Sequence, residues 1–134
     1  MKFTVEELSK LDDEDLYDYL KENGKYYTKA ELKKISKSSY FSSNQTNESI
    51  LNGILIDIAI RKVNAFLYPG GEFRYIKLDK VKTFTPKEKI NFIKNFGKYL
   101  GEYELKSLIY SQTDSSPPTY AHLLKEIYLN LQKH

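Results

Sequence analysis

The chain has 134 residues, with 21 basic and 18 acidic side chains and a formal charge of +3; 40% of it is hydrophobic and 29% charged, the balance of a globular protein. It contains no cysteine, which excludes disulfides, thiolate catalysis and cysteine-based zinc sites. The longest apolar run, 54–60, is interrupted by Asp57 and is too short to span a bilayer; residues 1–7 lack a signal peptide's apolar core, so a cytoplasmic location without membrane contact is expected.

The elements follow in chain order. Thr4-Val5-Glu6-Glu7 is a capping box that opens a short helix to about residue 10. The acids at 12–15 suit the start of a second helix, 14–23, which Gly24 is expected to close in a left-handed C′ position. Leu16, Tyr19 and Leu20 give that helix its buried stripe. Thr28-Lys29-Ala30-Glu31 is another capping box, opening a helix to about residue 36 with Leu32 and Ile35 inward. Residues 36–47, rich in Ser and Asn, read as loop.

Residues 48–63 predict a long helix whose apolar positions spread nearly all round, so it is expected to be covered on several sides, with Ile54, Leu55 and Ile58 buried. Residues 65–68 and 73–78 are aromatic and β-branched, and Pro69-Gly70-Gly71 between them is a turn signal; together they predict an antiparallel hairpin. Thr85-Pro86-Lys87-Glu88 combines an N-cap, a proline in the first turn and a capping glutamate. Gly101 is expected to interrupt the helix begun there, with a further helix over 102–111. A last helix over 119–132 carries Tyr120, Leu123, Leu124, Ile127 and Leu131 on one stripe. No internal repeat is read from the chain, which is taken as one domain over 1–134.

The order helix, helix, polar loop, helix, hairpin across 16–78 resembles a winged helix-turn-helix domain. The resemblance implies a mainly α fold with one β-hairpin, a winged-helix-like three-helix core over 12–82 and a C-terminal helical extension over 85–134. It also implies a small DNA-binding regulatory protein, its third helix in the major groove and its hairpin on the backbone. The amphipathic C-terminal helices would then serve a homodimer.

Charge bears on that reading. Residues 1–24 sum to −5, 25–48 to +3, 49–100 to +6 and 101–134 to −1. A basic middle suits a polyanion. Lys29, Lys33 and Lys37 recur at helical spacing on one face, and Arg74 and Lys77 lie on the expected hairpin. Asn44, Gln45 and Asn47 stand at the entry of the third helix, where Asn and Gln can pair with adenine. Only Arg61 and Arg74 are arginine, so contacts to duplex DNA are expected to be mainly to phosphate.

An alternative is a non-catalytic protein-interaction adaptor or inhibitor, such as an accessory subunit or a virus- or phage-encoded protein, that binds no nucleic acid. Its contact would use the acids Asp12, Asp13 and Asp15, which helix capping also explains. No enzyme is expected. His122, the one internal histidine, has no Ser, Asp or Glu at triad spacing. No cofactor or metal is expected.

Overall fold

The computed structural model describes residues 2–36 and 44–110. The described residues form six α-helices: α1 (Val5–Ser9), α2 (Asp13–Asn23), α3 (Lys29–Ile35), α4 (Asn47–Leu67), α5 (Pro86–Phe96) and α6 (Glu102–Tyr110). Short 3₁₀ turns stand at Gly24–Tyr26, Val81–Thr83 and Gly97–Tyr99. Lys37 and the helix expected over 119–132, one of the C-terminal helices expected to serve a homodimer, lie outside the described residues.

The capping signals operate as the sequence predicts. Thr4, Thr28 and Thr85 each accept from the backbone N–H three residues on, and Glu7, Glu31 and Glu88 each reach back to the cap N–H. These reciprocal bonds satisfy amide donors that a helix start leaves open. Gly24 stops α2 by a different device than expected. It is right-handed, at φ −59° and ψ −28°, and continues into a 3₁₀ turn. Glycine here leaves room for Leu51, whose Cδ1 would stand 2.4 Å from an added Cβ and would have to move aside.

The expected β-hairpin does not form. No β-strand occurs among the described residues, which corrects the fold to helical without a wing. Residues 65–67 stay in α4, because Val63 and Leu67, one turn apart, are both buried and extend its inner stripe. Pro69 then ends the helix, and Gly70 reverses the chain at φ +83°, a left-handed value that favours glycine. With 65–68 taken up by helix and turn, 73–78 has no strand to pair with. The side chain of Asn64, 4% exposed, takes that place. Its Nδ2 donates to the Tyr75 carbonyl at 2.7 Å and its Oδ1 accepts from the Lys77 N–H at 3.0 Å. A buried amide satisfied at both ends is a stable way to hold an irregular segment.

The chain divides into two compact units, residues 1–62 and 63–134. In unit 1, α1 packs on α3, around Leu8, Leu20, Tyr27 and Leu32 with Ile54 and Ile58 of α4. Leu55 is only half-buried, contrary to expectation. In unit 2, Val81, Ile93, Leu105 and Leu108 are buried. Beside them Phe66, Phe84, Phe92 and Phe96 form a run of ring contacts with centroids 4.8–6.3 Å apart.

The two units follow one plan, which corrects the expectation of an unrepeated chain. Helices α2 and α5 are both 11 residues long and start 73 positions apart. The same offset carries Gly24–Tyr26 onto Gly97–Tyr99 and the start of α3 onto that of α6. Backbone angles agree through the corner: Asn23 has φ −115° and ψ −2°, Phe96 φ −122° and ψ −1°. Tyr27 then has φ −98° and ψ 145°, Leu100 φ −94° and ψ 142°. Buried Leu8, Leu20 and Leu32 fall on buried Val81, Ile93 and Leu105. At this offset seven of the fourteen residues from 20 to 33 are identical, including Gly24-Lys25-Tyr26 with Gly97-Lys98-Tyr99. In sequence the match runs on through Ser42 with Ser115, Thr46 with Thr119, Leu51 with Leu124 and Ile54 with Ile127. Over residues 13–35 and 86–108 the two units thus repeat one helix–corner–helix module.

Candidate functional site

The residues singled out from sequence fall in both units. Lys29 and Lys33 lie one turn apart on α3, both half-buried. Asn44 is exposed and Gln45 half-buried. Asn47 donates from Nδ2 to the Tyr27 carbonyl at 3.4 Å, and the Thr46 hydroxyl accepts from the Ser49 N–H. The polar entry to α4 is thus partly committed to holding the helix start.

Two of the three acids of the expected protein contact are committed as well. Asp12 caps α2, its Oδ1 accepting from the Asp15 N–H at 2.8 Å. Asp13 makes a two-point pair with Arg61, both N···O distances 3.2 Å. That fork fixes α2 to α4 within unit 1 and uses one of the two arginines. Asp15 is exposed.

Arg74 and Lys77 belong to unit 2 and to a loop over 68–80 that has its own internal order. The rings of Tyr68 and Phe73 stand 5.3 Å apart. Lys77 Nζ lies 5.0 Å and 5.2 Å from their centroids, within cation–π range. The Tyr68 hydroxyl accepts from the Lys80 N–H at 3.1 Å, and Lys80 Nζ donates to the Leu67 carbonyl at 3.1 Å, closing the end of α4. Asn64 pins the middle of the loop on both sides of Ile76. At its outer edge Arg74 is exposed and Tyr75 is 61% exposed. The loop therefore offers an exposed guanidinium and an exposed aromatic ring at consecutive positions on a backbone that is already held.

Sequence reasoning found Arg74 and Lys77 but missed Asn64, which orders their loop. A signal exists: an amide in the otherwise apolar stretch 63–67 has to find partners. It also missed an open groove in unit 1 of about 540 Å³. Gly24, Leu51 and Leu55 line the groove with Lys21 and Lys25, and Asn47, Glu48 and Asn52 of α4 complete it. The chain compared with itself would have exposed the Gly-Lys-Tyr corner that shapes it. No helix among the described residues is long and apolar enough to cross a membrane.

No protein-family model, curated protein or solved structure matches this chain.

Proposed function

We propose that the protein is a small, non-catalytic DNA-binding protein whose contact is made by the 68–80 loop and is dominated by phosphate. The observation that carries the reading is the Asn64 clamp, with its 2.7 Å and 3.0 Å bonds, beneath an exposed Arg74 and Tyr75. Folding has already met the entropy cost of ordering this loop, so binding need not meet it again. Arg74, Lys77, Lys80 and Lys82 outnumber Glu72 and Asp79 across the loop and its exit, giving a local excess of positive charge. Tyr75 supplies a face for base stacking, which favours unpaired strands over duplex.

The test is fluorescence anisotropy with a labelled mixed-sequence oligonucleotide, single-stranded and as duplex, across a salt series. The single strand is expected to bind more tightly. Removing both charges with Arg74→Ala and Lys77→Ala should reduce the salt slope by roughly 1.4 for single strands. Tyr75→Ala should weaken single-strand binding by ~1–3 kcal/mol and leave that slope unchanged. If neither nucleic acid binds at micromolar protein in low salt, the reading is overturned.

A further inference from the structure

Helix α4 is apolar on nearly every side, yet unit 1 leaves part of it open. Ile56 is 57% exposed, Leu51 and Leu55 are half-buried, and a Cβ on Gly53 would meet nothing within 4 Å. A helix with that pattern normally has cover on each apolar side. Leu51 and Leu55, one turn apart, instead form the floor of the 540 Å³ groove, with Gly24 beside them. A side chain at 24 would displace Leu51, whose Cδ1 would lie 2.4 Å from the added Cβ. The glycine therefore keeps the floor in place.

The rim is charged on one side. Lys21 and Lys25 flank Gly24 and are exposed, against the single carboxylate of Glu48 across the groove. Lys21 Nζ stands 5.6 Å from the Tyr17 ring and Lys25 Nζ 5.2 Å from the Tyr26 ring. Both ammonium groups are thus held near aromatic faces rather than swinging free. At the corresponding positions of unit 2 stand Lys94, exposed, and Lys98, half-buried, whose Nζ is again 5.2 Å from the ring of the following tyrosine. Lys21 and Lys25 are both exposed, and apolar packing does not require a lysine at either position.

We infer that this groove in unit 1 is a docking site for an acidic amphipathic helix of a partner protein. Leucine-sized anchors spaced i, i+4 would fill the space over Leu51 and Leu55, and carboxylates on the partner's flank would meet Lys21 and Lys25. A groove of this volume is of the order that takes several side chains, and its apolar floor is ringed by Lys21, Lys25, Asn47, Glu48 and Asn52. The inference stands apart from the DNA reading, because it uses no residue of the 68–80 loop.

The experiment uses the full chain and two labelled synthetic helices with the same leucine spacing, one carrying glutamates on its flanks and the other lysines. The glutamate helix should raise anisotropy at micromolar protein and bind roughly tenfold or more tighter than the lysine helix. The double variant Lys21→Glu, Lys25→Glu, with folding checked by its circular dichroism and thermal transition, should reverse that preference. Methyl resonances of Leu51 and Leu55 should shift on titration with the glutamate helix. Equal binding of the two helices, binding of neither, or a preference untouched by the double charge reversal would each overturn the proposal.

Discussion

In unit 1 the segment leading into the helices is held by two tyrosines. The Phe3 N–H donates to the Tyr19 hydroxyl at 2.8 Å, the Tyr27 hydroxyl donates to the Phe3 carbonyl, and the two hydroxyls lie 3.0 Å apart. The Phe3 ring stacks on Tyr19 at 4.8 Å. In unit 2 the equivalent positions are Ile76, Phe92 and Leu100, and neither Phe92 nor Leu100 carries a hydroxyl. Phe92 instead joins the ring cluster with Phe66, Phe84 and Phe96. The lead-in segment there is held by Asn64, which bonds the residues on either side of Ile76. One backbone plan thus tolerates two solutions to the same requirement. Each lead-in segment has backbone groups that must be paired, and either a hydroxyl network or an amide can pair them. The lesson is that the corner and the capped helices define the module, while the means of tying down its entrance is free to vary.

The equivalence of the copies can be broken most directly in their cores. Leu32 and Leu105 occupy matching positions and are 0% and 5% exposed. Leu32→Ala and Leu105→Ala should each cost ~2–5 kcal/mol in denaturant unfolding. A Leu105→Ala protein as stable as its parent would show that the second copy does not use this position as the first does.

The difference at the entrances can be sharpened next. Asn64→Ala strands the Tyr75 carbonyl and the Lys77 N–H, at ~1–3 kcal/mol for an unsatisfied group. It should also open 71–78 to proteolysis while sparing residues 2–36. Unchanged cleavage would mean that something other than the amide orders the loop. The counterpart in unit 1 is milder: Tyr27→Phe removes one hydroxyl from the network and should cost about 1 kcal/mol.

Titration separates the units by sign. Burial, then the Tyr19 hydroxyl, holds Tyr27 above the ordinary tyrosine range. The unfolded chain therefore loses this proton first, and the stability Tyr27 contributes is present below about pH 10 and lost as pH rises beyond it. Lys89 stands where unit 1 has Leu16, and burial holds its ammonium below the ordinary lysine range. Here the folded state sheds the proton first, so stability rises as pH climbs from the lowered value to about 10.4. Tyr27→Phe should flatten the alkaline fall in the urea midpoint, and Lys89→Leu should steepen it. An alkaline limb identical in all three proteins would remove both assignments.

The smallest effect is shared. Glu31 and Glu88 are held below the ordinary carboxylate range, each first by the backbone N–H of its cap threonine. Both contribute stability above about pH 4.3 that is lost as pH falls below it. Glu31→Gln and Glu88→Gln should each reduce the acid slope slightly and by similar amounts, measured as the same midpoint between pH 3 and 6 (roughly the carboxylate range). A marked difference between them would argue that the two caps are not equivalent.

What the sequence by itself determined is what short-range chemistry controls. The three Thr-x-x-Glu boxes placed α1, α3 and α5, because each cap closes its own hydrogen bonds within four residues. Pro69-Gly70 marked the end of a segment for the same local reason. The tertiary structure decided where competing local preferences were close in energy. Aromatic and β-branched residues at 65–68 suit a strand, yet Val63 and Leu67 gain burial by remaining in α4, and Asn64 then satisfies the backbone left without a partner strand. Gly24 was legible as a helix stop, but its reason, the close approach of Leu51 from 27 residues away, depends on a contact that no local window contains. Asp12 was legible as a helix-start acid, whereas the pairing of Asp13 with Arg61 depends on α4 coming alongside. The candidate sites divide in the same way. Arg74 and Lys77 were visible as charges, whereas the clamp that presents their loop and the groove beside Gly24 exist only once distant residues pack together.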